Sequence, residues 1–163
     1  MDSSNKSTEQ HLSITSNEVQ EWLKVDKQLF ILDVRPTEER EDWLIPESKH
    51  VDIYEDLKSG VTNPFKGVDL PDDRPVVTVC GAGNTSLIAA EKLRELDIEA
   101  YCLDGGMKAW NVAWDSAEIN LDDELTLLQV RRLAKGCLSY IVGSGDEAIV
   151  IDASLDPEVY IKL

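Results

Sequence analysis

Residues 76–96, VVTVCGAGNTSLIAAEKLREL, decide the fold class of this 163-residue chain. The run from Val76 to Cys80 is apolar and mostly β-branched, which is typical of a buried parallel strand. A short glycine-rich loop follows at residues 81–84, and a helical pattern runs from 85 to 96. The apolar face of that helix is Thr85, Ala89, Leu93 and Leu96. The succession of strand, glycine loop and helix indicates a βα unit.

The segments on either side repeat this alternation. Residues 29–34, 50–53 and 100–103 have strand patterns, and helical patterns lie between them. Thr15 and Glu18 have the spacing of a capping box at the start of the first helix. We therefore predict one α/β domain with a mainly parallel sheet over residues 11–115, preceded by a disordered polar tail at residues 1–10.

The pattern changes after Trp114. Residues 116–124 are polar and acidic, so we predict a linker there, followed by a short C-terminal β-rich segment at 125–163. Its strand-like runs are 125–131, 137–142 and 148–152, with a hairpin turn at residues 143–146, GSGD. About 40 residues do not easily close a core alone, so this segment is either the front of a truncated second domain or a piece that docks elsewhere.

Charge narrows the classes of partner. The chain has 32 acidic and 16 basic residues, a formal charge of −16, which repels nucleic acid and anionic membranes. We therefore expect no nucleic acid and no membrane as partner. The first twelve residues lack the apolar stretch of a secretory signal, so the expected location is cytoplasmic.

The cysteines point to thiol chemistry. Cys80, Cys102 and Cys137 are odd in number and widely spaced, which argues against a disulfide framework. The histidines, His11 and His50, belong to no metal-binding motif, so we predict no metal and no cofactor. Cys102 and Cys137 lie in strand patterns and are interpreted as structural residues.

Cys80 has the sequence context of a reactive thiol. It lies where a strand ends, in a glycine loop before a helix, so backbone N–H groups and the helix dipole favour its thiolate. Two alternatives are a buried structural cysteine and a phosphate cradle. The glycine loop argues against the first. The acidic charge and the absence of a P-loop lysine argue against the second.

These residues resemble the rhodanese-like sulfurtransferases over about residues 13–114. Residues 31–35, ILDVR, are similar to the family's L-L-D-V-R strand, and residues 80–86, CGAGNTS, to its C-x-x-G-x-R-[SA] loop. Residues 103–110, LDGGMKAW, are similar to its closing L-x-G-G-x-x-x-W. The resemblance implies a five-stranded, mainly parallel sheet flanked by helices. It also implies a cysteine that takes a sulfane sulfur from a donor and passes it to a thiol acceptor.

On this resemblance Cys80 is the catalytic residue. The expected substrate-binding residues are Gly81, Ala82, Gly83, Asn84, Thr85, Ser86 and Arg35. For Arg35 the alternative is a structural ion pair with Asp33. Thr85 replaces the loop arginine, so we expect a low-molecular-weight persulfide or thiol as partner rather than the dianion thiosulfate. In related phosphatases the arginine stands six positions after the cysteine, where this chain has Ser86, so phosphate ester hydrolysis is disfavoured.

Residues 125–163 resemble the opening strands of the metallo-β-lactamase fold, without its H-x-H-x-D-H metal motif. The two resemblances together imply the front of a fusion protein of the persulfide dioxygenase or glyoxalase II-like kind. The main hypothesis is a sulfurtransferase that works through a Cys80 persulfide. The alternative is a non-catalytic rhodanese-like binding or sulfur-delivery module that docks to a metallo-β-lactamase-fold partner.

Overall fold

The computed structural model describes residues 12–25, 28–120 and 125–163. The predicted tail at residues 1–10 lies outside the described residues. Contacts divide the described residues into two units, with the boundary between Ala109 and Trp110. Within the described ranges, no helix combines the length and the apolar character needed to cross a membrane.

The first unit is built on a five-stranded sheet in which every pair of neighbouring strands is parallel. Its strands are β1 (Ser13–Ile14), β2 (Phe30–Asp33), β3 (Lys49–His50), β4 (Val76–Val79) and β5 (Ala100–Leu103). Their order across the sheet is β1-β5-β4-β2-β3. The predicted α/β fold class is confirmed. The two-residue strand β1 is absent from the sequence prediction, since it is too short to show an alternating pattern.

Helices connect these strands. They are α1 (Ser16–Lys24), α2 (Thr37–Asp42), α3 (Tyr54–Ser59), α4 (Asn84–Arg94) and α5 (Gly106–Val112), the last of which continues into the second unit. The capping box of Thr15 and Glu18 is present at the start of α1.

The sequence favours Thr37 as the residue that caps α2, and this prediction is wrong. Thr37 is instead the first helical residue, and both its N–H and its hydroxyl donate to Asp52 Oδ2, at 3.0 and 2.9 Å. A carboxylate distant in sequence therefore satisfies the helix end, which local pattern does not reveal.

The core of the first unit lies around β4, of which every residue is buried. Ala89, Ala90 and Leu93 of α4 are fully buried and belong to the same apolar cluster as Val76 and Cys80. The two alanines allow the helix to lie close to the sheet. Leu96 was expected on this face, but it is 52% exposed because α4 ends at Arg94. The helix that follows the Cys80 loop is therefore anchored in the core.

The second unit is a four-stranded antiparallel sheet followed by a short helix. Its elements are β6 (Trp114–Asn120), β7 (Thr126–Arg132), β8 (Cys137–Ser144), β9 (Glu147–Ile151) and α6 (Pro157–Lys162), with strand order β6-β7-β8-β9. The three predicted strands are present. The hairpin turn is shorter than the predicted residues 143–146 and consists of Gly145 and Asp146, with Gly145 at φ +58°.

The predicted linker at residues 116–124 is wrong over 116–120, which form the second part of β6. Ser116 pairs with Val130, and Glu118 pairs with Leu128. Ala117, Glu118 and Ile119 are exposed, and Ser116, Glu118 and Asn120 are polar residue types, so this segment resembles a linker in sequence. Residues 121–124 lie outside the described part of the chain.

Candidate active site

Cys80 follows directly after β4, and its side chain is the centre of the candidate site. The residue is 2% exposed. The N–H of Gly83 donates to Cys80 Sγ at 3.1 Å, and the Ser86 hydroxyl donates to the same sulfur at 3.2 Å. Two donors on one sulfur stabilise a negative charge there, whether it belongs to a thiolate or to a bound persulfide.

The start of α5 holds the loop that follows Cys80. The N–H of Met107 donates to the Cys80 carbonyl at 2.8 Å, and the N–H of Lys108 donates to the Gly81 carbonyl at 3.1 Å. In a trans peptide the carbonyl and the next N–H point in opposite directions. The N–H groups of Gly81 and Ala82 therefore point away from α5.

Two glycines make this close contact between loop and helix possible. A Cβ on Gly106 would overlap the Cys80 carbonyl oxygen and would lie 2.8 Å from Gly83 N. Gly83 itself has φ +95°, a conformation that L side chains rarely adopt. The contact between Gly106 and the Cys80 loop does not follow from the sequence pattern. A pair of glycines after a strand is a signal for a tight backbone approach, but it does not name the partner.

The six predicted loop residues are contiguous: three form the bend after β4 and three form the start of α4. They are Gly81, Ala82, Gly83, Asn84, Thr85 and Ser86. Gly83 and Ser86 hydrogen-bond the sulfur, while Asn84 is exposed and begins α4. Thr85 is 5% exposed and brings no charge. The helix N-terminus and its positive dipole end lie at this loop.

Arg35 is part of a buried ion-pair network, with 1% of the residue exposed. Its Nη2 lies 2.7 Å from Asp33 Oδ2, and its Nε donates to Asp33 Oδ1 at 3.0 Å. The guanidinium also donates to the carbonyls of Glu39 and Trp43, at 3.1 and 2.8 Å. Arg40 donates to the same Asp33 carboxylate at 3.1 Å. These contacts are those of the structural alternative, and a substrate-binding role of Arg35 stays a prediction.

Cys102, for which the sequence predicts a structural role, adds a second buried thiol. Its Sγ lies 3.3 Å from Ser86 Oγ and donates to the Gly83 carbonyl at 3.1 Å. Burial raises the pKa of Cys102 from 9.0 to about 11, so it remains a protonated thiol at neutral pH. The order of strands, which sets β5 beside β4, is what brings Cys102 to the loop.

An acidic side chain lies beside the loop. A Cβ built on Gly81 would be 3.5 Å from Glu39 Oε2, so this carboxylate is a direct neighbour of the residue after Cys80. Glu39 is exposed and belongs to α2. Its charge makes the neighbourhood of Gly81 less favourable for an anion.

Comparisons with known proteins cover the same part of the chain. The "Putative sulfurtransferase YtwF" of Bacillus subtilis is 28% identical over 97 residues, which are 60% of this chain and 87% of that protein. The "Adenylyltransferase and sulfurtransferase MOCS3" of Drosophila sechellia is 37% identical over 83 residues, 49% of this chain and 18% of that protein. The crystal structure of a rhodanese-like domain protein from Staphylococcus aureus has a TM-score of 0.49 and 28% identity, covering 60% of this chain and 89% of that one.

The family model described as "Rhodanese-like domain" matches residues 15–113. The match runs from the cap of α1 to the end of α5 and includes the whole Cys80 loop. The metallo-β-lactamase resemblance of residues 125–163 lies beyond it and stays a prediction. Over more than half of its length, this chain belongs to the rhodanese-like domain family.

Proposed function

We propose that this chain transfers sulfane sulfur through Cys80. The Cys80 thiolate attacks the outer sulfur of a persulfide, R–S–SH, and the S–S bond of the donor breaks. The leaving group R–S⁻ takes up the proton of the outer sulfur and departs as the thiol R–SH. Cys80 then carries that sulfur as a persulfide anion. An acceptor thiolate then attacks that outer sulfur and regenerates the Cys80 thiolate, without net oxidation.

The observation that carries this proposal is the pair of donors on Cys80 Sγ, the Gly83 N–H and the Ser86 hydroxyl. Both favour the anionic sulfur that must attack and later leave. Membership of the rhodanese-like family supports it, as do relatives named as sulfurtransferases at 28% and 37% identity.

Charge around the loop favours a persulfide donor over thiosulfate. Residues 81–86 contain no cationic side chain, and Thr85 offers at most a neutral hydrogen bond. Glu39 adds a carboxylate beside Gly81. Arg35 has its guanidinium committed to Asp33 and to backbone carbonyls. A dianion therefore meets a carboxylate beside Gly81 and finds no arginine in the loop to bind it.

Intact-mass spectrometry after treatment with glutathione persulfide tests the proposal. The reduced chain should gain one sulfur, about 32 Da, and dithiothreitol should remove it. Cys137→Ser is the matched control, because Cys137 lies in β8 of the second unit, and it should gain the same mass. Cys80→Ser should gain none. An equal gain in Cys80→Ser would contradict the proposal.

Thiosulfate provides the test of the donor. With thiosulfate in place of glutathione persulfide, we expect at least a tenfold lower rate of sulfur uptake at equal concentration, about the effect of one missing charge-assisted hydrogen bond. Equal rates with the two donors would overturn the preference for a persulfide and would leave the role of Cys80 intact.

A second candidate is a rhodanese-like module that docks to, or delivers sulfur to, a metallo-β-lactamase-fold protein. The observation that favours it is β9, an edge strand whose five residues are all exposed, with Ile149 61% exposed. Apolar residues on an open edge are typical of a docking strand. Gel filtration of the chain with such a protein tests this candidate, and separate elution of the two would contradict it.

A further inference from the structure

The carbonyl oxygen of Gly83 has three donors close to it. The Leu87 N–H donates at 3.0 Å as the first helical bond of α4, and Ser86 Oγ and Cys102 Sγ each lie 3.1 Å away. A carbonyl oxygen has two lone pairs, so it accepts two well-formed hydrogen bonds. Three donors therefore compete for the two lone pairs of the Gly83 carbonyl oxygen.

The Ser86 hydroxyl has one proton and three acceptors within reach. They are the Gly83 carbonyl at 3.1 Å, Cys80 Sγ at 3.2 Å and Cys102 Sγ at 3.3 Å. Ser86 is fully buried, with 0% exposed, so bulk water offers no alternative partner. A protonated Cys102 sulfur is only a weak acceptor. When Leu87 and Cys102 occupy the Gly83 carbonyl, the Ser86 proton is therefore directed to the Cys80 thiolate.

Cys102 is suited to this task because it keeps its proton. Burial is the main reason that its pKa is near 11. A hydrogen bond with Ser86 lowers this pKa, and the charges of Cys80, Asp104 and Glu91 raise it. On the other side of the loop, the Glu39 carboxylate lies beside Gly81. A protonated thiol is a poor nucleophile, so this environment favours hydrogen bonding by Cys102 over disulfide chemistry.

We propose that Cys102 is a positioning residue, whose S–H bond to the Gly83 carbonyl turns the Ser86 hydroxyl onto the Cys80 sulfur. This role of Cys102 rests on the sulfur transfer proposed above, because that reaction is what uses the anionic Cys80 sulfur. The hydrogen bonds of Cys102 and Ser86 do not depend on which sulfur donor or acceptor is used. Cys102 acts on Cys80 through Ser86.

The rate of Cys80 alkylation by iodoacetamide, followed against pH by peptide mass, tests this proposal in a Cys137→Ser background. Without the Cys102 thiol, Ser86 is free to bond Gly83, so Cys102→Ala should move the pH midpoint of Cys80 alkylation upward by about half to one unit. Cys102→Ser retains a donor at the same site and should restore most of that shift. The two variants differ by one hydroxyl group.

A Ser86→Ala background separates positioning from general damage. In that background Cys102→Ala should not move the pH midpoint of Cys80 alkylation any further, because the Ser86 hydroxyl that Cys102 directs is absent. An unchanged midpoint in Cys102→Ala, or the same shift with and without Ser86, would overturn the proposal. Cys102→Val, which fills the space with methyl groups, replaces Cys102→Ala if the alanine variant does not fold. Alkylation needs no sulfur donor, so this test stands apart from the sulfur-uptake experiment.

Discussion

The carbonyl oxygen of Cys80 lies where a Cβ on Gly106 would be placed. The same Cβ would lie 2.8 Å from Gly83 N and 2.9 Å from Ala82 N, the backbone of the candidate active loop. The reactive turn and the start of α5 are therefore packed backbone against backbone. This contact, together with the bond from Met107 N to the Cys80 carbonyl, fixes the loop from behind.

Gly106→Ala should consequently displace the loop. We expect a loss of about 2 to 4 kcal/mol in the free energy of unfolding, measured by urea denaturation, because rigid backbone must move. Gly60→Ala is the matched control, since Gly60 has φ +78° with open space around it. It should lose only about 1 to 2 kcal/mol for the left-handed conformation. Equal losses would contradict the packing argument.

Thr85→Arg tests the electrostatic reason for the donor preference. A guanidinium at this loop position should raise the rate of sulfur uptake from thiosulfate by about tenfold to a hundredfold, through charge-assisted hydrogen bonds. Thr85→Gln, a long polar side chain without charge, is the control and should give no such gain. A similar gain with glutamine would show that side-chain length, and not charge, controls the use of thiosulfate.

The buried Asp33 carboxylate should be essential for stability. It faces both Arg35 and Arg40, so Asp33→Asn leaves two guanidinium groups without their counter-charge. We expect a loss of about 3 kcal/mol in urea unfolding. Asp73→Asn, which breaks an exposed pair with Arg74, should leave the unfolding midpoint unchanged. A small loss for Asp33→Asn would show that Arg35 gains little from this partner.

The parts of the fold that depend on local pattern were predictable from sequence. β4 is a buried apolar run, and the loop and α4 follow it without interruption, so residues 80–86 form one contiguous site. β6 is not visible in the sequence because Asp115, Ser116, Glu118 and Asn120 are polar and interrupt any apolar run, and only pairing with β7 makes this segment a strand. A linker and an exposed strand differ in their partners and not in their composition.

The contributions of Cys102 and Gly106 to the site were not predictable, for a different reason. Both come from segments about 20 residues after the loop, and they reach it because β5 lies next to β4. Strand order is a property of the whole sheet. A sequence pattern reports which residues are buried, but not which buried residues meet.

Cys102 should make the stability of the chain decrease at alkaline pH. The folded state holds the thiol proton up to a pKa of about 11, whereas the unfolded thiol ionises near 9.0. Between these values the folded state binds more protons, so stability falls as pH rises. By pH 10 the loss attributable to this group is about 1 kcal/mol.

The comparison of Cys102→Ala with the unaltered chain isolates this group. Tyr101, whose pKa burial also raises, weakens both proteins in the same direction and so cancels in the difference. Urea unfolding at pH 8, 9 and 10 should therefore show a steeper decline for the unaltered chain than for the alanine variant. Parallel declines would mean that the thiol ionises equally readily in the folded and unfolded states.

Tyr160 should hold the turn between β9 and α6. Its hydroxyl accepts from the N–H groups of Ser154 and Leu155, at 2.8 and 3.1 Å, and lies 2.9 Å from Ser139 Oγ. Because Ser139 donates to the Asp152 carbonyl at 2.7 Å, the tyrosine proton is left to bond Ser139 Oγ. One phenol therefore satisfies two backbone donors and one side chain.

Tyr160→Phe removes that hydroxyl and leaves both N–H groups without their acceptor. Each unsatisfied donor costs about 1 to 3 kcal/mol, so amide hydrogen exchange at Ser154 and Leu155 should accelerate at least tenfold. Tyr140→Phe is the control in the same unit, because the Tyr140 hydroxyl accepts only from the Gln129 side chain among its described bonds. It should leave both amides unchanged. Unchanged exchange in Tyr160→Phe would show that this turn is held by the packing of the ring against Val130 and Ile141, and not by the hydroxyl.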